Sequence, residues 1–190
     1  MPILGILASS FPAASGAFES IASATGTGSS GTITFSSIPS TYQHLQVRFI
    51  VKSSSAGTTT TGMSFYPNAE TGSSTTFDRH YLYGDGTSVT ASNSINQGEF
   101  YAYKVLPRAS STADVFGVGI IDIHDYASTT KNKTVRMFYG YDNNGGTTES
   151  QVYLESGLWR STAAITDLRF TGGTAFIAGT TIALYGIKGA

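Results

Sequence analysis

His44-Leu45-Gln46-Val47-Arg48-Phe49-Ile50-Val51-Lys52 puts Leu45, Val47, Phe49 and Val51 at alternate positions, with His44, Gln46, Arg48 and Lys52 on the opposite parity. Successive side chains of an extended chain point to opposite faces, so this stretch reads as a strand with one face in a core and the other in water. Only Ile50 breaks the alternation. Shorter runs of the same kind lie at 18–24, 32–36, 63–66, 77–83, 99–106, 115–124, 135–141, 150–154, 165–170 and 180–187. Linkers rich in Ser, Thr and Gly at 26–31, 53–61 and 72–76 punctuate the series. Eleven strands at this spacing predict an all-β protein.

No window sustains a 3.6-residue apolar period over three turns, so no amphipathic helix is expected beyond a single turn near 162–164. Two packed antiparallel sheets limit the exposed edges of so many short strands. The expected fold is therefore an antiparallel β-sandwich, jelly-roll-like or of a related Greek-key type. Residues 17–190 form its one domain, and residues 1–16 form an extended, apolar N-terminal arm. At 190 residues with 40% apolar content, one core is the natural outcome.

Charged residues are only 12% of the chain, and Ser, Thr and Gly together exceed a third. This predicts a surface of hydroxyls and amides rather than ions. A net charge of −1 with no Lys/Arg cluster argues against a nucleic-acid partner, whose phosphates require several cations on one face. With no cysteine, neither disulfides nor thiolate metal sites can form. The apolar start, Met1 to Ala8, lacks the positive leading region of a secretion signal and is far short of the ~20 residues that span a bilayer. No membrane partner is expected from it; docking on this fold or on a neighbour is.

Candidate chemistry is thin. Asp78 with His80 and Asp122 with His124 are each two apart in a predicted strand and would share a face, where a carboxylate can orient an imidazole or share a metal. Neither pair comes with the nucleophile elbow and oxyanion hole of a hydrolytic site. Asp142-Asn143-Asn144-Gly145-Gly146 has consecutive oxygen donors, unlike the alternate positions of a calcium loop, and reads as a hairpin turn. Tyr83-Gly84-Asp85-Gly86 reads the same way. Asn132-Lys133-Thr134 and Ser128-Thr129-Thr130-Lys131 match short motifs by chance in so Ser/Thr-rich a chain. Glu149 and Glu155 are separated by ~20 Å along a strand, too far for a glycosidase pair. The chain is thus expected to be no enzyme, with no catalytic, metal or cofactor residues.

The aromatics are more suggestive. Eleven tyrosines accompany eleven phenylalanines and the single Trp159, and Tyr81, Tyr83, Tyr101, Tyr103, Tyr139, Tyr141 and Tyr153 all fall within predicted strands. Tyrosine can bury its ring and keep its hydroxyl wet, which suits packing, subunit contacts or stacking on sugars.

Several stretches together resemble a family of small structural proteins encoded by tailed bacteriophages. They are Met1-Pro2-Ile3-Leu4-Gly5-Ile6 with Ala8-Ser9-Ser10, the segment from Ser37-Ile38-Pro39-Ser40-Thr41-Tyr42 to Arg48, and His80-Tyr81-Leu82-Tyr83-Gly84-Asp85-Gly86. Asp122-Ile123-His124-Asp125-Tyr126-Ala127, the region from Lys133 to Asn143, Ser156-Gly157-Leu158-Trp159 and Ala183-Leu184-Tyr185-Gly186-Ile187-Lys188-Gly189 continue it, so the likeness spans nearly the whole chain. It brings no catalytic residues. It implies a virion surface protein, a capsid decoration or cement protein held by the major capsid protein or other virion proteins, as a homotrimer. Interface residues are then expected at Ile3, Leu4, Ile6, Leu7 and Phe11 of the arm and at Tyr101, Tyr103 and Trp159, with buried apolar area contributing ~25 cal/mol per Å². The rival expectation is a tail-fibre or head-fibre component whose exposed tyrosines bind host-surface glycan.

Overall fold

The structure is a computed structural model that describes residues 16–57, 60–70, 75–111, 113–143 and 150–189. Among the described residues there are twelve strands and no helix: β1 (Phe18–Thr25), β2 (Thr32–Phe35), β3 (His44–Val51), β4 (Thr60–Pro67), β5 (Phe77–Gly84), β6 (Val89–Gln97), β7 (Phe100–Pro107), β8 (Gly117–Ile123), β9 (Lys133–Tyr141), β10 (Gln151–Trp159), β11 (Leu168–Thr171) and β12 (Thr181–Ile187). Eight of them build one sheet in the order β1-β12-β3-β8-β9-β10-β5-β6; the other four build a second in the order β2-β11-β4-β7. Every neighbouring pair is antiparallel.

The fold is the antiparallel β-sandwich that the alternation predicts, with its strands divided eight and four, where a jelly roll of eight strands uses two sheets. All eleven predicted strands are present, and β10 runs on to Trp159. The twelfth, β6, is the one that periodicity passes over. Its sequence, Val89-Thr90-Ala91-Ser92-Asn93-Ser94-Ile95-Asn96-Gln97, has small polar residues on one parity and breaks Val89, Ala91 and Ile95 on the other with Asn93 and Gln97, and it is an edge strand whose large apolar residues Val89 and Ile95 are exposed. It is tied to β5 by a tight turn. Asp85 Oδ1 accepts from the backbone N–H groups of Thr87 (2.9 Å) and Ser88 (2.8 Å), and Gly86 takes the positive φ of 85° that this turn requires. The single helical turn expected near 162–164 is a bend; Ser161 Oγ accepts the Ala163 N–H there.

The core lies between the sheets. Leu45, Val47, Phe49 and Val51 of β3 face inward, as the opening stretch predicts, and meet Ile121 and Ile123 of β8, Val135 and Met137 of β9, and Ile182 and Leu184 of β12. From the small sheet come Met63, Phe65, Ala102, Leu168 and Phe170. A chain of aromatic contacts runs through one end: Phe65 on Phe100 with centroids 4.7 Å apart, Phe77 edge-on to Phe100 at 4.8 Å, and Phe77 parallel to Trp159 at 6.4 Å. Trp159, expected at an interface, is 2% exposed and belongs to this core; its indole N–H donates to Glu70 Oε1 at 3.2 Å.

Lys133 is also fully buried. Its ammonium donates to the carbonyl oxygens of Ser128 (2.8 Å), Lys131 (2.8 Å) and Thr162 (3.2 Å), fastening the β8–β9 and β10–β11 connections together, while burial lowers its pKa.

Candidate functional site

The expected arm residues Ile3, Leu4, Ile6, Leu7 and Phe11 lie outside the described residues, as do Glu149 and the turn residues Asn144, Gly145 and Gly146. The two Asp/His pairs are not brought together. Asp78 accepts the Asn96 N–H (2.7 Å) and faces Arg160 at 3.4 Å, whereas His80 is exposed. Asp122 accepts from Gln46 Nε2 at 2.8 Å. His124 lies past the end of β8, with its ring 5.0 Å from that of His44 and its Nε2 3.5 Å from Arg136; burial and these two neighbours lower its pKa. Among the described residues, no group of three or more His, Asp or Glu is placed to hold a metal.

Two features do stand out, one on each face of the large sheet. The outer face, which no other element among the described residues covers, carries two apolar rows. Cross-strand register aligns Ile50 with Val118, Gly140, Val152, Gly84 and Val89 in one row, and Ala183 and Arg48 with Ile120, Phe138, Leu154, Leu82 and Ala91 in the next. Ile50, Leu82, Val89, Val118, Ile120, Phe138, Val152 and Leu154 are all large and exposed, Phe138 to 57%. At ~4.8 Å between neighbouring strands the first row extends about 24 Å and the second about 29 Å, and the patch has a projected area of roughly 350 Å², within the range of the largest patches that soluble proteins display, which are often functional.

The one charge within the rows is held in place: Arg48 lies 5.8 Å from the Phe18 ring centroid and 5.3 Å from that of Tyr185, and donates from Nε to Gln46 Oε1 at 2.8 Å. A polar row of Gln46, Asp122, Arg136, Ser156 and His80 borders the patch on one side.

The sequence signal for this face is a pair of apolar parities in one strand. Ile50 beside Phe49 and Val51, Phe138 between Met137 and Tyr139, and Val152 and Leu154 around Tyr153 each place apolar groups on both sides of the sheet.

The inner face holds the second feature. Because the small sheet is four strands wide, its edge strand β7 ends over β9, β10 and β5, and the inward side chains beyond that edge are tyrosines. An edge strand leaves backbone groups unpaired, and here the large sheet supplies partners. Arg79 Nη1 donates to the Tyr101 carbonyl, and the Tyr103 N–H donates to the Tyr139 hydroxyl at 3.0 Å.

Glu155, 1% exposed, organises both partners: Oε1 accepts from the Tyr139 hydroxyl and lies 3.5 Å from Arg79 Nη1. Burial raises the Glu155 pKa against the opposing pull of Tyr139 and Arg79, and burial followed by the Glu155 charge raises that of Tyr139 well above its usual value. Glu155 Oε2 and Arg79 Nε are buried without a partner.

Beyond this buried group opens a cleft of about 350 Å³, lined by Arg79, Tyr81, Tyr83, Tyr103, Lys104, Gln151 and Tyr153. Tyr83 stacks on Tyr153 at 5.1 Å and Tyr153 on Tyr139 at 5.0 Å, while Tyr103 meets Tyr153 edge-on at 6.2 Å. The Tyr153 hydroxyl donates to Gln151 Oε1 at 2.7 Å. Of the two tyrosines expected at an interface, Tyr103 is exposed at the rim of this cleft. Tyr101 is half-buried, with its hydroxyl accepting the Gly62 N–H at 3.1 Å.

No protein-family model matches the chain, nor does any curated protein or solved structure.

Proposed function

We propose that this chain is a non-enzymatic structural protein of a virus particle: a decoration or cement protein on the outside of a bacteriophage capsid, acting as a homotrimer that bridges capsid subunits. The observation that carries the reading is the outer face of the large sheet, where two aligned rows of exposed aliphatic and aromatic side chains cross six strands with a single, internally engaged charge between them. A surface of that shape and chemistry gains free energy by being covered, and a particle offers other virion subunits as a permanent cover. The sequence resemblance to tailed-phage structural proteins and the hydroxyl-rich, weakly charged composition support the same reading.

Cryo-electron microscopy of the intact particle tests it. Density for this 19.9 kDa chain in many copies over the capsid shell, with the β8–β9–β10 face turned toward neighbouring subunits, is the expected result. Density confined to the tail or to one vertex would overturn it.

A second reading, a tail-fibre or head-fibre component that binds host-surface glycan, rests on the tyrosine-lined cleft at the edge of β7. Binding of a glycan to the isolated chain, seen as ligand-dependent stabilisation, distinguishes it from a protein that only coats the shell.

A further inference from the structure

The apolar strip on the outer face of the large sheet has the footprint of one extended chain. It is two side chains wide and about 24–29 Å long, and it crosses the strands rather than following them. Over part of its length the floor drops: Gly140 and Ala183 lie among Ile50, Phe138 and Tyr185, leaving an apolar groove of about 620 Å³. A second copy laid flat on the strip would match roughly 350 Å² against the same area, about 700 Å² in all, where specific interfaces between rigid surfaces bury about 1,200 Å² or more. A segment that inserts its side chains needs no such breadth.

The sequence holds a segment of matching length and chemistry. Ile3-Leu4-Gly5-Ile6-Leu7-Ala8-Ser9-Ser10-Phe11 carries five large apolar side chains in nine residues, and no charged side chain occurs before Glu19. Nine extended residues at ~3.3 Å each span about 26 Å, the length of the strip. Nor does the segment bring an ion that would lose its water against an apolar surface. The one charge within the rows, Arg48, is already engaged by Phe18, Tyr185 and Gln46.

Geometry decides which copy the segment serves. The Lys188 N–H donates to the Ala17 carbonyl at 3.0 Å, so the chain enters β1 along the line of the strand, from beyond Phe18. Register sets Phe18 level with Ile187, and Ile187 with His44, four residues short of Arg48 and six short of Ile50. Gly16, two residues further out, is therefore about 20 Å below the nearer row and one to two strands to its side, about 21–22 Å away in all. The five residues from Gly16 back to Phe11 reach at most about 18 Å. Residues 3–11 thus cannot all lie along the strip of their own chain, but they can lie along that of a copy placed beyond the His44 end of the sheet.

We propose that the outer strip of each copy receives residues 3–11 of a second copy, in a head-to-tail exchange that closes as the trimer. The proposal rests on the homotrimer of the preceding reading and adds the partner that covers this face. A contact between two different patches closes into a ring when successive copies are rotated by a fixed fraction of a turn, here one third.

The chain has no cysteine, so an introduced pair reports alone. The full chain carrying Ile6→Cys with Leu154→Cys is oxidised at micromolar concentration and run on a non-reducing gel, beside Ile6→Cys with Thr34→Cys, whose second position lies on the small sheet. A covalent ladder of two and three chains of 19.9 kDa, ending at about 60 kDa, is expected for the first pair and not for the second. Mixing the single variants Ile6→Cys and Leu154→Cys should yield a disulfide-linked pair holding one chain of each, identified by mass spectrometry. Without any cysteine, the wild-type chain should sediment as a trimer, and Ile6→Ser with Leu7→Ser should weaken each contact about 30-fold, a factor of about five per side chain.

An internal disulfide in a chain that still runs as a monomer would overturn the exchange and assign the strip to the chain's own arm. Equal crosslinking at Leu154 and Thr34, or none at either, would overturn the arm as the occupant. Every readout is made on the free chain, so density of this protein away from the capsid shell would refute the capsid reading while leaving the exchange intact.

Discussion

Replacing Phe138 and Leu154 together by serine is the sharpest test of the outer face. The two residues are directly opposed across β9 and β10, at the centre of the apolar rows, and stand 57% and 48% exposed. Fully burying a side chain of this size contributes about 1.5–3 kcal/mol, so the half that each still shows to water is worth about 1 kcal/mol when a neighbouring subunit covers it. Removing both should weaken attachment by about 2 kcal/mol, or roughly 30-fold in Kd. In the free chain three cross-strand pairs are lost, Phe138 with Leu154, Phe138 with Ile120 and Leu154 with Leu82, each worth about 0.2–1 kcal/mol, so the unfolding midpoint should fall modestly while the melt stays cooperative. The assay is saturation binding of purified variant to particles that lack the protein, with a urea melt of the same sample as the control. Because the contact is apolar, the loss should be of the same size at low and at high salt. A variant that saturates particles at the wild-type concentration would refute the assignment of this face, however stable the protein.

Gly119→Ala should destabilise the chain by about 1–3 kcal/mol, because a Cβ there would run into the Phe49 ring and lie 2.5 Å from Tyr139 Cβ; a urea midpoint equal to wild type would contradict this packing. Lys133→Met leaves the Ser128, Lys131 and Thr162 carbonyls without their buried donor and should cost about 3 kcal/mol by the same measurement; a loss below about 1 kcal/mol would mean that the lysine does not fasten those loops. The folded-state pKa of Glu155 is raised, so its contribution to stability is fully present below the ordinary carboxylate value of ~4.3 and is lost as pH rises through the folded value. Glu155→Gln should remove that downward slope from a plot of unfolding free energy against pH, and parallel plots for the two proteins would refute it. Deleting residues 2–16 should weaken particle binding while the melt stays cooperative, since the described residues from 17 on pack a core among themselves; equal saturation of undecorated capsids would exclude the arm as an attachment element.

The sequence by itself determined that this protein is a β-sandwich, because a two-residue period is a local property. Leu45, Val47, Phe49 and Val51 carry the inward face of β3 whatever their partners are, and the Ser/Thr/Gly linkers and the Asp85-Gly86 turn mark where strands end. Periodicity passes over β6, because Asn93 and Gln97 interrupt the apolar parity of Val89, Ala91 and Ile95 in an edge strand that buries none of them.

Tertiary structure alone decided what lies beside what. Ile50, Phe138, Leu154 and Leu82 come from separate strands, and they become neighbours only once the order β3-β8-β9-β10-β5 is set. Trp159 looked available for an interface and proved to be core, since the extension of β10 carries it under Phe77. Glu155 read as half of an unworkable acid pair; its partners, Arg79 and Tyr139, are distant in sequence and are joined to it by the pairing of β5, β9 and β10. The tyrosine cleft exists because a four-stranded sheet stops short of an eight-stranded one, and where that edge falls depends on long-range hydrogen-bond register, which no local window of the chain contains.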